Sequence, residues 1–406
     1  MKIRAGVFFG GRSVEHEVSV ISAMQAIAAL NRSRYEIVPV YITKDNRFFT
    51  GEHLGKMETW RDIPAALKLA QQVVPARIDG RAVLLRWPQP HFGSREVCTL
   101  DVAVPVVHGT GVEDGALQGL FEYLGVPYTG CDVASSAAGM DKWTMKSLFC
   151  AAGLPVAEGV RLTAGQFYAE PAGQLDRIEC ALGWPVIVKP VNLGSSVGIG
   201  KARDRAGLEE KIRDALQYAP VVLCEKAIPH LREINCAVLG DRDETRVSVC
   251  EEPLNATDFL TYADKYQSGG GGKQGAKGTA GGGKTGGAGM QSLSRRVPAD
   301  LPPELAAQAQ ELARSAFLAI DAAGMSRVDL LLDDETKTLY VNEINTIPGS
   351  LAFYLWEASG LGFSDLLDEM VSLALKRSRE QGALTHSFDV NLLAGVTLGG
   401  KSGSKG

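Results

Sequence analysis

The first part of the chain alternates short apolar runs with helical segments. KIRAGVFF is followed by a glycine pair and the amphipathic stretch SVEHEVSVISAMQAIAALN, and the same order returns in LDVAVPVVHG and GALQGLFEYLG. Short apolar runs indicate buried strands, and apolar residues three to four apart indicate a packed helix face. This alternation predicts parallel strands with crossover helices. We therefore expect an open parallel-sheet α/β domain over residues 1–130, with a loop-rich region at 44–96.

Two further units are expected downstream. In residues 131–224, MDKWTMKSLFCAAG and GLEEKIRDALQYA predict helices, WPVIVKPV and VVLCEKAI predict strands, and NLGSSVGIG predicts a loop. Residues 225–380 group strands such as REINCAVLG with long helices such as ELAAQAQELARSAFLAIDAAG, so this part is expected to be α+β. RVDLLLDDETKTLYVNEIN predicts a hairpin around the turn DDET. Residues 381–406 are expected to be a loosely ordered tail.

Composition limits the class of protein and its partners. The chain has 406 residues, 45% of them apolar and 22% charged, as in ordinary globular proteins. A formal net charge of -5 argues against nucleic acid as the main partner. The seven cysteines form no C-x-x-C pair, which is typical of free thiols in a reducing compartment. With no apolar stretch of membrane length, we expect a cytoplasmic protein without a membrane partner.

Two segments match the phosphate-loop pattern G-x-x-x-x-G-K-[ST]. They are GTAGGGKT at 278–285 and GVTLGGKS at 395–402. A functional phosphate loop needs a buried strand before it and a helix after it, so that backbone amides point at the phosphates. The first match lies in a glycine-rich tract at 269–289, and the second ends near the end of the sequence. We therefore expect that neither is the nucleotide site.

The predicted hairpin carries the most informative set of polar residues. Arg327 and Asp329 alternate along its first strand, and Glu343 and Asn345 alternate along its second. If the turn sets the matching register, all four share one face, and the apolar residues between them share the other. A guanidinium beside carboxylate and amide oxygens suits magnesium with phosphate. The alternative is a solvated sheet face with a cross-strand Arg–Glu pair, and spacing alone favours neither.

Several lysines are candidates for phosphate contacts. Lys189 ends an apolar strand directly before the glycine-serine loop, and such a loop presents backbone donors to phosphate oxygens. Lys142 and Lys265 are weak signals by themselves, since most lysines are solvated. Lys226 follows an apolar strand in EKAI, a segment whose backbone suits an adenine edge.

Two N-terminal residues are candidates for contacts with a small substrate. Glu15 lies at the positive end of the first predicted helix, and a helix-capping carboxylate is the alternative interpretation. His108 ends a predicted parallel strand, where open α/β sheets bind their ligands. By itself it is equally compatible with a structural role.

The motifs together resemble those of the D-alanine–D-alanine ligases of the ATP-grasp superfamily. The seven motifs occur in the family's order over about residues 1–375: GGRSVEHEVS, HGTGVEDGALQGLFEYLGVPYTG, SAAGMDK, VIVKPVNLGSSVG, YADKY, SRVDLLLD and NEINTIPGS. The resemblance implies an ATP-grasp fold with ATP between the central and C-terminal parts. It also implies that the glycine-rich tract at 269–289 extends a lid over the phosphates.

The resemblance implies a role for each candidate residue. ATP would be held by Lys142, Lys189, Ser196, Glu225, Lys226, Ile228, Glu233 and Lys265. Two Mg2+ ions, with Mn2+ as an alternative, would be held by Asp329, Glu343 and Asn345. Catalysis would involve Glu15, His108, Ser195, Tyr266, Arg327 and the amide of Gly349. The second substrate would meet Ser350 and Tyr354, because SLAFYLWEAS replaces the family's usual Ser/Thr-rich stretch.

The implied function is ATP-dependent ligation of D-alanine to D-alanine through an acyl phosphate, for peptidoglycan precursors. Another acceptor, such as D-serine, D-lactate or a secondary-metabolite amino acid, is the nearest alternative. An ATP-grasp enzyme of the carboxylase type and a non-enzymatic nucleotide-binding regulator are more distant ones. A homodimer is expected because dimers are usual in the family.

Overall fold

The computed structural model describes residues 2–254, 295–388 and 390–391. Seven of the described strands form the first sheet: β1 (Ile3–Gly10), β2 (Tyr35–Ile42), β3 (Phe48–Thr50), β4 (Gln71–Ile78), β5 (Arg81–Arg86), β6 (Glu96–Leu100) and β7 (Val102–Pro105). Their spatial order is β6-β5-β4-β3-β2-β1-β7. Helix α1 (His16–Ala29) packs against β1.

The predicted parallel arrangement holds for only part of this sheet. Strand β1 pairs in parallel with β2 and β7, as expected. The expectation of a loop-rich region at 44–96 is wrong, because β3 to β6 extend the sheet in antiparallel pairs. This region also contains α2 (Ile63–Leu69) and two 3-10 helices, Glu52–Gly55 and Met57–Arg61. The sheet is therefore mixed.

A four-stranded antiparallel sheet follows in the chain. Its strands are β8 (Gly159–Thr163), β9 (Val186–Pro190), β10 (Gly200–Ala202) and β11 (Val221–Lys226), in the order β10-β9-β11-β8. The α-helices that follow α2 in this part of the chain are α3 (Ala116–Leu124), α4 (Val133–Met140), α5 (Lys142–Ala151), α6 (Ala164–Ala169), α7 (Pro171–Leu182) and α8 (Arg205–Ala215). Apolar side chains of α6, α7 and α8 bury the inner faces of β9 and β11.

The third sheet carries the predicted hairpin. Its strands are β12 (Leu231–Gly240), β13 (Thr245–Val247), β16 (Gly324–Asp333) and β17 (Thr338–Asn345), in the order β13-β12-β16-β17. Two short strands, β14 (Glu252–Pro253) and β15 (Arg295–Arg296), pair beside it. The remaining described helices are α9 (Pro303–Ala319), α10 (Phe353–Ala358), α11 (Phe363–Gly382) and the 3-10 turn Gly349–Ala352.

One apolar core joins the first and third sheets. Leu366, Met370 and Ala374 of α11 are buried in the same cluster as Val104 of β7 and Met325 of β16. Burial of this apolar surface is the main force that holds the two sheets together. It brings the carboxyl ends of β1 and β7 close to the hairpin of β16 and β17. No helix among the described residues is long and apolar enough to span a membrane.

Candidate active site

Loops from all three sheets converge on one cleft, which contains two adjoining cavities. The first cavity is lined by many of the predicted site residues: Glu15, His108, Lys142, Ser195, Glu233, Arg327, Asp329, Glu343, Asn345, Gly349 and Tyr354. The second shares Glu233, Asp329 and Glu343 with the first, and also gathers Lys189, Ser196, Glu225, Lys226 and Ile228.

The remaining predicted residues lie elsewhere. Ser350 is buried and lines neither cavity. Lys265, Tyr266 and the glycine-rich tract lie outside the described residues, as do both phosphate-loop matches.

Glu15 contacts the glycine-serine loop, which lies far from it in sequence. Its side chain makes no capping hydrogen bond with α1 and accepts one from the Ser195 hydroxyl. Gly194 permits this approach, since a Cβ there would lie 2.7 Å from a Glu15 carboxylate oxygen. Gly109 is equally constrained, because a Cβ there would lie 2.2 Å from Ser13 Oγ. The two glycines thus bring three loops together around one carboxylate.

His108 holds the turn that carries Gly349. Its Nδ1 lies 2.8 Å from the Ile347 carbonyl oxygen, which only accepts, so Nδ1 carries the proton. Its Nε2 then accepts from the Ser22 hydroxyl at 3.1 Å, and Ser22 Oγ accepts from the Ser350 amide at 2.9 Å. Burial lowers the pKa of His108 despite the nearby Glu15 carboxylate, which favours this neutral tautomer.

The same turn has an uncommon backbone conformation. Ser350, Leu351 and Ala352 have φ of 52°, 52° and 44°, in the left-handed region that residues with a Cβ rarely adopt. Such conformations persist where the surrounding contacts enforce them, and they are common at functional sites. The hydrogen bonds from His108 and Ser22 are contacts of this kind.

Glu113 was not among the predicted site residues, although it lies in the motif HGTGVEDG. It lines the first cavity and is almost fully buried. Its carboxylate accepts from the amides of Gly109 at 2.9 Å and Ile347 at 3.0 Å, and from the Thr346 hydroxyl at 3.3 Å. Burial and the charge of Glu15 nevertheless raise its pKa to about 8. Glu113 therefore ties the loop after β7 to the loop after β17.

We expect Glu113→Gln to change how stability depends on pH. The folded protein keeps this proton up to about pH 8, whereas an unfolded chain releases it near 4.5, the usual pKa of a glutamate side chain. The stability that this group contributes is therefore complete below pH 4.5 and declines as pH rises towards 8. In urea unfolding, the wild type should lose stability relative to the variant over this range, by roughly 1 kcal/mol per pH unit.

Glu304→Gln is the control for this measurement, because Glu304 is exposed at the start of α9. It should show no such pH-dependent difference from the wild type. A difference between wild type and Glu113→Gln that is the same at pH 5 and pH 8 would contradict the assignment.

The predicted common face of the hairpin is confirmed, but the turn alone does not produce it. Arg327 pairs with Asn345, and Asp329 pairs with Glu343, so all four project from one side. Nearer the turn, the pairing is shifted by one residue through a β-bulge next to Leu330. The bulge, and not the turn, restores the register that the site requires.

The bulge places two consecutive side chains on the open side of the sheet. Asn342 accepts a hydrogen bond from Lys189 Nζ at 3.1 Å, and Glu343 lies 3.4 Å from Lys142 Nζ. In a regular strand these neighbours would point to opposite faces. The irregularity therefore lets one strand contact both predicted phosphate-binding lysines.

Arg327 and Asp329 form a two-pronged ion pair along one strand. The guanidinium donates to the two carboxylate oxygens at 2.6 and 2.7 Å, and Asn345 Nδ2 donates to the same carboxylate at 3.1 Å. Burial lowers the pKa of Arg327, but Asp329 outweighs this and the net shift is upward. The alternative of a cross-strand Arg–Glu pair on a solvated face is wrong, because Arg327 pairs with Asp329 in the wall of a cleft.

A buried group of three charges forms part of the second cavity. The Glu225 carboxylate lies 2.6 Å from Lys146 Nζ through one oxygen and 2.6 Å from Lys189 Nζ through the other. Burial would raise the pKa of Glu225, but the two ammonium groups lower it to about 2. Burial lowers the pKa of Lys146. Burial also acts to lower the pKa of Lys189, but the Glu225 carboxylate outweighs it and the net shift is upward. With both lysines charged, the group carries one net positive charge, which favours an anionic ligand.

Lys146 was also missed by the sequence analysis. It lies four residues after Lys142 on α5, so both lysines occupy one helix face. That spacing was the available signal, but it does not reveal the partner Glu225 on β11.

The far end of the first cavity contains a second group that the sequence did not reveal. The Tyr354 hydroxyl donates to Glu251 Oε1 at 2.8 Å, and Asn235 Nδ2 donates to the same oxygen at 3.0 Å. The Arg295 guanidinium lies 4.2 Å from the centre of the Tyr354 ring and 3.3 Å from Glu251 Oε2. The one sequence signal is the presence of two acids, at 251–252, and two arginines, at 295–296.

Comparison with known proteins identifies the family of this chain. The family described as "D-ala D-ala ligase N-terminus" matches residues 4–131, and "D-ala D-ala ligase C-terminus" matches 148–277 and 288–372. The chain belongs to the D-alanine–D-alanine ligase family. A D-alanine–D-alanine ligase of Thermosipho melanesiensis is 36% identical over 393 residues, which span 96% of this chain and 98% of the relative. One from Acetivibrio thermocellus is 36% identical over 93% of this chain and 96% of the relative.

Solved structures of this family share the fold. The D-alanine–D-alanine ligase from Coxiella burnetii has a TM-score of 0.75 at 29% identity, covering 94% of this chain and 96% of that one. The VanG D-Ala:D-Ser ligase from Enterococcus faecalis has a TM-score of 0.74 at 29% identity, covering 92% and 100%. The predicted ATP-grasp fold is therefore confirmed.

Proposed function

We propose that this chain joins two molecules of D-alanine, at the expense of ATP, through an acyl phosphate. The observation that carries the proposal is one cleft that combines the Glu15–Ser195 contact with the polar face of Arg327, Asp329, Glu343 and Asn345. The names of the curated relatives favour D-alanine over D-serine or D-lactate as acceptor. The dipeptide would serve peptidoglycan synthesis in the cytoplasm, and a homodimer is the expected assembly.

ATP would bind in the second cavity. Its phosphates would meet Lys142, Lys189 and the loop at Ser196, while Glu225, Lys226, Ile228 and Glu233 would surround adenine and ribose. The net positive group around Glu225 supports this assignment, because it offers a buried cation to an anion. By resemblance, Lys265 would contact the γ-phosphate.

Asp329, Glu343 and Asn345 fit a magnesium site. Their carboxylate and amide oxygens lie on one face of the hairpin, and oxygen is the ligand atom that Mg2+ prefers. Two Mg2+ ions, or Mn2+ in their place, would be held here between both cavities. When bound, such ions neutralise charge on the transferred phosphoryl group. Among the described residues, no cluster of three or more His, Cys, Asp or Glu offers another metal site.

The two amino acids would react in the first cavity. Glu15 would bind the ammonium group of the first amino acid. The carboxylate of that amino acid would attack the γ-phosphorus of ATP and release ADP. The free amine of the second then attacks the acyl carbon, and phosphate leaves. Arg327 and the Gly349 amide would stabilise the oxyanion of the tetrahedral intermediate. His108 would hold the Gly349 turn in place, and Tyr266 would join the Glu15–Ser195 contact by resemblance.

We expect phosphate release from ATP to require D-alanine and magnesium. The rate would be measured with D-alanine alone, with D-serine or D-lactate added, and with L-alanine, and the products identified by mass spectrometry. D-Alanyl-D-alanine as the main product supports the proposal. A mixed product in preference to the dipeptide would overturn the acceptor assignment. No release with any amino acid would overturn the ligase assignment itself.

A further inference from the structure

Neither hydroxyl expected to meet the second substrate is placed to bind it: Ser350 does not line the first cavity, and the Tyr354 hydroxyl donates to Glu251. Ser350 is buried away from the cavity, and its backbone amide donates a hydrogen bond to the Ser22 hydroxyl oxygen. The Tyr354 hydroxyl lies against Glu251 at 2.8 Å. An amino acid bound as acceptor nevertheless carries a carboxylate, which must be paired when it leaves water. Another group must therefore bind that carboxylate.

We infer that Arg295 binds the carboxylate of the second amino acid and so selects acceptors that carry one. The inference rests on the proposed ligase function and adds a specificity-determining residue to it. Arg295 lines the first cavity together with Glu15, Arg327 and Gly349. Its side chain is 18% exposed, so its charge is only partly screened by water.

Arg295 is held in a defined orientation. Its guanidinium lies 4.2 Å from the centre of the Tyr354 ring, a typical cation–π distance, and its Nη1 lies 3.3 Å from Glu251 Oε2. Glu251 is itself fixed by Tyr354 and Asn235. A guanidinium has five N–H donors in a rigid fork, so it can bind a carboxylate while it keeps the contact with Glu251. The tyrosine at position 354 thus supports the arginine instead of replacing the family's hydroxyl.

The position of Arg295 relative to the reaction centre fits this role. Burial and Asp329 are the main influences on the pKa of Arg327, and Tyr354 and Glu251 also lie close enough to raise it. For His108, burial is the largest influence on the pKa, followed by Glu15, and Arg327 also contributes. Arg327 lines the same cavity as Glu15 and Arg295. The first amino acid would occupy one side of Arg327, and the second would occupy the other.

Three described cations line this cavity, and each has partners within the protein. Among the described residues that line it, the lysine and arginine side chains are Lys142, Arg295 and Arg327. Lys142 Nζ donates a hydrogen bond to the Leu193 carbonyl oxygen and lies next to Glu343, which borders the proposed ATP cavity. Arg327 is bound by both oxygens of Asp329. Arg295 is the cation of these three that lies over the Tyr354 ring, at the position expected to meet the acceptor.

The test compares two acceptors for the same acyl phosphate. D-Alanine carries a carboxylate, whereas hydroxylamine does not; its nitrogen attacks the acyl carbon, phosphate leaves, and D-alanyl hydroxamate forms. We expect Arg295→Met to raise the KM of the second D-alanine at least tenfold and to leave hydroxamate formation within about twofold. Arg295→Lys, which keeps the charge, should recover part of the loss. Arg296→Met is the matched control, since Arg296 is exposed and lines neither cavity.

Each outcome bears on a different claim. An unchanged KM for the second D-alanine in Arg295→Met would overturn the inference. An equal fall in dipeptide and hydroxamate would overturn it too, because Arg295 would then act on the donor half or on folding. If the wild-type protein forms neither product from D-alanine and ATP, the proposed function itself fails.

Discussion

Arg327→Ala is expected to lower kcat for dipeptide formation by roughly 10²–10³-fold or more, the usual loss when one oxyanion donor is removed. The guanidinium lies in the first cavity beside the Gly349 turn, where negative charge would develop on the attacked carboxyl oxygen. ATP affinity should change little, because Lys142, Lys189 and the Glu225 group remain. The measurements are single-turnover dipeptide formation and ATP binding by calorimetry.

Arg232→Ala is the matched control for this experiment. Arg232 lies in the same sheet and also forms a two-pronged pair, with Glu252 at 2.7 and 2.9 Å, but it lines neither cavity. The Arg232→Ala variant should lose stability and keep the kcat of the wild type. Near-normal turnover in Arg327→Ala would show that Arg327 does not stabilise the transition state.

The sequence predicted strands whose apolar runs are long and lie next to a recognisable helix pattern. The strands β1, β2 and β7 were recognised for this reason, whereas β4 and β5 were missed. The segment QQVVPARI has a single buried residue, Val73, and contains Pro75, which lacks an N–H donor for the sheet. Such a strand is specified by its neighbours more than by its own pattern.

The site was predictable where a local pattern carries it. The alternation of Arg327 with Asp329, and of Glu343 with Asn345, gave their common face, but not the bulge at Asn342 that orients two lysines. Most other assignments came from the family resemblance, because partners such as Glu15 and Ser195 are 180 residues apart. Contacts of this kind arise from tertiary structure alone.

Four functional candidates carried no sufficient signal. Glu113, Lys146, Glu251 and Arg295 are charged residues whose local patterns, such as the four-residue spacing of Lys142 and Lys146, fit a solvated surface equally well. Their importance depends on burial and on partners from other elements, which only the folded chain reveals. Resemblance to the family did not single them out either.

Glu225→Gln is expected to cost about 3–5 kcal/mol of stability at pH 7, since it leaves two buried lysines without their shared anion. Glu225 is 2% exposed and contacts both Lys146 and Lys189 at 2.6 Å. The two lysines lower its pKa to about 2 from the usual glutamate value of 4.5, so its contribution is complete above pH 4.5 and is lost as pH falls towards 2. The difference between wild type and variant should therefore shrink in acid.

The same substitution should weaken ATP binding, because Glu225 also orients Lys189 towards the second cavity. Urea unfolding at pH 7 and at about pH 3, with ATP titrations at pH 7, measures both effects. Glu158→Gln is the control, since Glu158 is exposed and lies 4.0 Å from Lys226. A stability loss that is equally large well below pH 4.5 would mean that the anion is not what stabilises this group. Unchanged ATP affinity would mean that Lys189 reaches the phosphates without Glu225.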